Sequence, residues 1–315
     1  MATKSLRVPT WVAIIIVMLC GALVAVQTRL NGQFGAVLGD GFVAATYSFG
    51  SGLVIMTILV LCSKQARSGL ADLWAGIRGG TFPWWAAMGG AAGAFLVLSQ
   101  GLSAGILGVA LFTVGVVAGQ TTFGVFLDAW GVGPSGKIPP NRRRLAAVGL
   151  CLLAVAITVS GQLTHAGSLV WFIMPLLAGL GTAWQPAVNG RVRSLTNSAV
   201  SATFVNFVVG TLVLATITLV RGAFVGFPTE FPPEPWYYVG GLVGCIFIGG
   251  MAVFVKQTGV LLLGLASISG QLCCSLVLDL LLPVGSSPVT AGTVIGVIVA
   301  LVAVGVSSIR PRRTR

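Results

Sequence analysis

Apolar stretches of about 20 residues recur along the chain, each closed by a short polar or basic segment. They run from Thr10 to Leu30, Phe42 to Cys62, Pro83 to Leu102, Leu107 to Trp130, Leu145 to Leu163, Leu169 to Val188, Ala199 to Val220, Trp236 to Val255, Val260 to Leu282 and Val289 to Ile309. At 1.5 Å per residue, a helix of this length crosses the roughly 30 Å hydrocarbon core of a bilayer. No segment shows the short alternation of apolar and polar residues that a membrane barrel needs. Each run is predicted as a helix, because only a helix pairs all its backbone groups internally in lipid. The expectation is an all-α polytopic membrane protein with ten transmembrane helices.

The pattern occurs twice. Gln27-Thr28-Arg29-Leu30-Asn31-Gly32 returns as Gln185-Pro186-Ala187-Val188-Asn189-Gly190, and Phe49 and Gly52 return as Phe207 and Gly210, all 158 residues on. Gly119-Gln120, followed eight residues later by Asp128, returns as Gly270-Gln271 and Asp279, 151 residues on. The halves divide as 1–164 and 165–315, with five spans each. An odd number of spans inserts the second copy with opposite orientation, giving inverted repeats.

Charge sets the orientation. With the amino terminus inside, only Arg29 and Arg221 of the 18 Lys and Arg residues fall on outer segments, a positive-inside bias that puts both termini in the cytoplasm. The net charge of +12 is thus an orientation signal and an attraction to anionic lipid, not a nucleic-acid patch. At 56% apolar and 8% charged, the chain lacks the polar surface of a water-soluble globule, where ~25% charged is usual. The first run follows Lys4 and Arg7 as a secretory signal would, but its copy lies mid-chain, so it is expected to be retained.

Six cysteines lie within or at the ends of apolar runs without metal or redox spacing, and His165 is the single histidine. No paired-acid, H-E-x-x-H, G-x-S-x-G or P-loop arrangement is present, so neither an enzyme nor a cofactor or metal site is expected.

The ordered set of Q-x3-N-G, F-x2-G, a glycine-rich third span, G-Q-x7-D and a fifth span, present twice, resembles the drug/metabolite transporter (DMT) superfamily. More narrowly it is similar to the bacterial YdcZ-type (EamA-like) branch in its fused two-repeat form. The resemblance implies an inner-membrane secondary transporter, an exporter of a small metabolite, with a cavity between its halves and alternating access. It implies no particular substrate.

Candidate site residues follow from the cost of burying polar groups in lipid. Gln120 and Gln271 lie about 12 Å along their helices from Asp128 and Asp279, near mid-membrane, where they either meet a solute or bond a neighbouring helix. Gln27/Asn31 and Gln185/Asn189 share helix faces at the outer and inner ends, as gates and solute contacts or as helix-end caps. Pro186 frees the Thr182 carbonyl. Trp184 is either a solute contact or an interfacial belt residue.

Arg29 with Asp279 outside, and Asp128 with Arg191 or Arg193 inside, form one potential ion pair at each mouth. All five are otherwise solvated interface charges. The acids all fall in loops or at span ends, so no midplane carboxylate marks a proton path, and an amide-lined cavity suits a neutral or zwitterionic solute.

Gly89/Gly93, Gly101/Gly105, Gly240/Gly244 and Gly292/Gly296 have the small-x3-small spacing that lets helices pack closely, and the last pair suits a homodimer equally. The Pro-rich and aromatic outer loop Phe224 to Tyr238 suits a cap over the cavity or an interface anchor. A non-transporting membrane scaffold is the alternative; it requires no paired mid-membrane amides and gives no solute flux.

Overall fold

The computed structural model describes residues 8–132, 137, 139–160, 166–282 and 289–308. Every regular element among them is helical: α1 (Thr10–Leu38), α2 (Gly41–Cys62), α3 (Lys64–Arg78), α4 (Gly89–Ser99), the single turn α5 (Gly105–Leu107), α6 (Val109–Trp130), α7 (Arg142–Ser160), α8 (Ala166–Thr196), α9 (Ala199–Val225), α10 (Gly240–Leu281) and α11 (Ala291–Ser308).

Six segments are long and apolar enough to cross a membrane: Trp11–Leu38, Gly41–Cys62, Gly89–Leu107, Val109–Leu127, Ala199–Val225 and Leu263–Leu281. Shorter apolar helices cover Leu145–Ile157, Pro235–Met251 and Ala291–Val306. Each falls on a predicted run, and the remaining run, Leu169 to Val188, lies inside α8. The chain is a polytopic membrane protein.

Local chemistry sets the boundaries. Gly39, at φ 65°, closes α1 in the left-handed region, and Asp40 then caps α2, its Oδ1 accepting from Phe42 N at 2.9 Å and Val43 N at 3.1 Å. Ser63 and Ser198 cap α3 and α9 in the same way, accepting from Ala66 N and Ser201 N. The sequence pattern assigns α3 no span. It forms an amphipathic helix that buries Ala66, Gly69, Leu73 and Gly76 and leaves Lys64, Arg67 and Trp74 exposed.

The predicted eighth and ninth spans form the single 42-residue element α10. A straight helix would separate residues 240 and 279 by about 58 Å. Yet Gln27 Nε2 donates to the Gly240 carbonyl at 2.7 Å, while Arg29, two residues on, lies 3.8 Å from Asp279. Val17 shares an apolar cluster with Leu263 and Ala266, and Met251 and Phe254 pack against that cluster. The two ends of α10 thus lie against the same length of α1, so the chain reverses direction within this element. The first half does the same at Gly108, whose φ of 79° breaks α5 from α6.

The halves exchange partners. A methyl on Gly119 of α6 would strike the Leu176 carbonyl of α8, and one on Gly270 of α10 would strike the Met18 carbonyl of α1. Gly90 of α4 abuts Asn206 and Gly210 of α9, and Gly241 of α10 abuts Ser48 and Gly52 of α2. Each pair is separated by the offsets of the sequence repeat, so the contacts are duplicates about a pseudo-two-fold axis. The third and fourth spans of each half pack on the first and second spans of the other, and α7 packs with α11 in a shared apolar cluster around Cys151, Ala154, Val297 and Ala300.

Candidate functional site

The pseudo-axis passes through an aromatic pair. Phe49 of α2 and Phe207 of α9 have ring centroids 5.1 Å apart, each ring lying over the other helix's glycine, Gly210 and Gly52. Both side chains are buried. The residues preceding them, Ser48 and Asn206, point the bundle's polarity toward opposite ends, where two amide clusters sit.

At the end holding Gln27 the cluster is a closed relay. Asn31 Nδ2 donates to Gln100 Oε1 at 2.7 Å, Gln100 Nε2 to Thr28 Oγ1 at 3.0 Å, and Thr28 Oγ1 to the Val24 carbonyl at 2.9 Å. Gln27 ends on the Gly240 carbonyl. Backbone carbonyls can only accept, so both strings fix the direction of every amide in them. The surplus is therefore in acceptors: Gln27 Oε1 and Asn31 Oδ1 are buried without a donor, as is the Ser48 hydroxyl. Asn31 and Gln100 are 0% exposed. Gln100 sits in a π-helical turn, Gln100–Ala104, a distortion that often marks functional positions.

At the end holding Gln185 the parts are similar and the closure is not. Gln185 Nε2 and Asn189 Nδ2 both donate to Asn206 Oδ1, at 2.8 and 3.1 Å. Gln185 and Asn189 are half-buried, and only Asn206 is sealed, with its Nδ2 unpartnered. The glycine pairs serve both clusters: Gly89 and Gly93 face Asn189 and Gln185, and Gly240 and Gly244 face Asn31 and Gln27. Each half supplies the flat surface on which the other half's amides lie.

Level with the Gln27 cluster lies one ion pair, and beyond it a second and an aromatic lid. Arg29 faces Asp279 with both side chains 9% exposed, and Arg221 pairs with Asp40. Asp279 also accepts from Val109 N at 3.0 Å and Ala110 N at 2.6 Å, so it caps α6 just past the break at Gly108. The loop after α9 folds over this end. Tyr237 stacks on Phe34 at 5.9 Å, and Tyr238 meets the edges of Phe34 and Tyr47 at 5.1 and 5.0 Å, its hydroxyl donating to the Pro232 carbonyl.

The other expected residues are more dispersed. Gln271 is buried and its amide lies 3.4 Å from Ser267 Oγ, while half-buried Gln120 lies beside Gly179; no hydrogen bond among the described residues joins the two glutamines. Trp184 packs with Phe82, Val188 and Val192. Arg191 donates from Nε to the Val132 carbonyl at 3.0 Å and covers the Trp85 ring at 5.1 Å, and Arg193 is half-buried. The side chain of Asp128, their expected partner, lies outside the described residues, as does His165.

Gln100 and Asn206 escape the sequence reading because neither is duplicated. The available signal was their chemistry: each is an amide inside an apolar span, a position that demands a partner.

The sequence matches, over residues 12–158 and again over 170–306, the family described as "Putative inner membrane exporter, YdcZ". No curated protein matches the chain. A solved structure titled "Crystal structure of protein" is similar over 94% of this chain and 95% of its own, at 18% identity and a TM-score of 0.53, a likeness of fold alone.

Proposed function

The chain belongs to the YdcZ family of inner-membrane exporters, and from that premise we propose that it exports a small neutral or zwitterionic solute by alternating access between its inverted halves. In this reading the chain crosses the membrane ten times with both termini cytoplasmic, residues 1–164 and 165–315 form the halves, and the Gln27 end faces outward. The carrying observation is the unequal state of two matched amide clusters on either side of Phe49 and Phe207. One is fully buried beside an ion pair and behind a tyrosine lid, and the other is half open. A symmetric sequence in an asymmetric state is what a transporter caught facing one side has.

The solute occupies the space that opens between the halves at one end at a time. The amide atoms left unpartnered in these clusters, Gln27 Oε1 and Asn31 Oδ1 toward one end and Asn206 Nδ2 toward the other, supply acceptors and a donor to it. Phe49 and Phe207 bar the path between the clusters. Gln120, Gln271 and Trp184, on α6, α10 and α8, are the further candidate contacts. Opening the outer end separates Arg29 from Asp279 and Asp40 from Arg221. The duplicate carboxylate Asp128, with Arg193, performs the matching closure inside, Arg191 being held by the Val132 carbonyl and the Trp85 ring.

A thermal-shift screen of small metabolites on purified protein tests this. A true solute at 100 times its Kd stabilises by ~2.7 kcal/mol. Gln27→Ala and Gln185→Ala are expected to remove most of that shift, and flux of the hit in liposomes should fall with it. A ligand whose stabilisation survived Gln27→Ala, Gln185→Ala, Gln120→Ala and Gln271→Ala alike would rule out the amide-lined site. Binding without flux would favour a scaffold.

A further inference from the structure

The Gln185 end carries an open cleft of about 500 Å³, lined by Phe82, Pro83, Arg191, Ser194 and Leu195. It lies between the segment entering the 3-10 turn Trp84–Ala87 and the last turns of α8. None of Gln185, Asn189 and Asn206 lines it, so it is separate from the amide cluster. Its lining is amphipathic: three apolar side chains, one hydroxyl and one guanidinium held in place by the Val132 carbonyl and the Trp85 ring.

The surroundings fix the height of the cleft in the membrane. Trp84 and Trp85 are exposed beside it, as belt tryptophans are at the headgroup level. Amphipathic α3 lies at the same end, tied to α8 and α9 by Gln65 Nε2 on the Asn197 carbonyl and Ser201 Oγ on the Ala66 carbonyl. Its own exposed Trp74 is covered by Arg78 at 4.7 Å. An apolar-walled cleft with a fixed guanidinium at headgroup depth matches one abundant class of molecule.

We propose that this cleft binds an anionic phospholipid. The lipid's phosphodiester is held by Arg191 and Ser194, and its glycerol and upper acyl region rests on Phe82, Pro83 and Leu195. A zwitterionic headgroup brings an ammonium toward the guanidinium and is disfavoured, whereas a net-negative one is not. The bound lipid links the start of the third span to the end of α8, two elements from opposite halves.

The test is native mass spectrometry of the full chain released from detergent and titrated with phosphatidylglycerol, phosphatidylcholine or sn-glycerol 3-phosphate. Phosphatidylglycerol adducts are expected on the wild type and should fall roughly fivefold in Arg191→Gln, the worth of one basic group at an anionic surface. Arg78→Gln, a basic residue outside the cleft, is expected to keep them, and Ser194→Glu, at an exposed position, should expel the lipid by charge. Equal melting midpoints without lipid establish that the variants are folded. If Arg191→Gln does not fold, Ser194→Glu decides the matter alone. Retention of phosphatidylglycerol by both cleft variants, equal retention of phosphatidylcholine, or binding of glycerol phosphate as tight as that of the lipid would each overturn the proposal, the last by making the cleft a site for a soluble phosphate.

Discussion

Gln100 has no counterpart in the second half, where Met251 stands 151 residues on; Asn206 supplies the third amide there, from the position of Ser48. Two clusters of three amides each are thus assembled from unlike positions, which a search for duplicated residues cannot find. Gln27, Asn31, Gln185 and Asn189 were legible because they repeat. Their partners were not, since hydrogen bonds between spans depend on which helices cross. Replacing Gln100 by Ala removes the acceptor of Asn31 and the donor to Thr28, leaving buried polar groups unpaired. A loss of ~1–3 kcal/mol is expected, read as a lower unfolding midpoint of the purified protein. Asn206→Ala strips the acceptor from two half-buried amides that reach water, and is expected to cost less. The Phe49 and Phe207 rings should couple: in a double-mutant cycle to Leu, the aromatic pair is expected to contribute ~0.5–1.5 kcal/mol beyond the single changes.

Among the elements, α10 is where sequence and structure differ most. The apolar pattern reads two spans, with a boundary near Val255 to Val260, and the helical assignment runs through it. Its second limb, Leu263–Leu281, is long and apolar enough to cross a membrane, its first, Pro235–Met251, is a shorter apolar helix, and the two ends of α10 meet one stretch of α1. Asp279 holds the second limb to the first half, because it caps α6 and faces Arg29 at once. Asp279→Ala leaves Arg29 without its partner in a nearly dry site, a change that costs about 3–5 kcal/mol in buried pairs. In the proposed mechanism that energy favours opening of the mouth at this end. In a background without the six native cysteines, Ser48→Cys combined with Asp279→Ala is expected to react with an impermeant maleimide added outside at least tenfold faster than Ser48→Cys alone. The cap was not legible in the sequence, since it joins residues 170 positions apart. Nor was α3, whose short amphipathic pattern lies between spans. At the close approaches, valine at Gly119 or Gly270 forces backbones apart, and each is expected to destabilise by ~1–3 kcal/mol and by similar amounts, because the two contacts are duplicates.

At the scale of the molecule, the sequence repeat and the lipid-length runs announced a two-fold membrane bundle, and the matched glycine contacts supply the axis. The exchange of partners between halves was hidden, because the helices of each half can pack either as a closed bundle or across the axis. Each half's amides lie on the other half's glycines, so under the proposed alternating access closing one mouth and opening the other would be the same motion. The most direct measurement needs no known solute. Ser48→Cys reports the outer mouth and Asn189→Cys the inner one, each labelled by impermeant maleimide in right-side-out and inside-out vesicles, with and without Asp279→Ala. The account predicts that Asn189→Cys alone reacts, from the cytoplasmic side only, in the unmodified background. With Asp279→Ala the pattern inverts, Ser48→Cys becoming reactive from outside as Asn189→Cys becomes protected. Labelling of both sites from one side, or a rise at Ser48→Cys with no fall at Asn189→Cys, would contradict it.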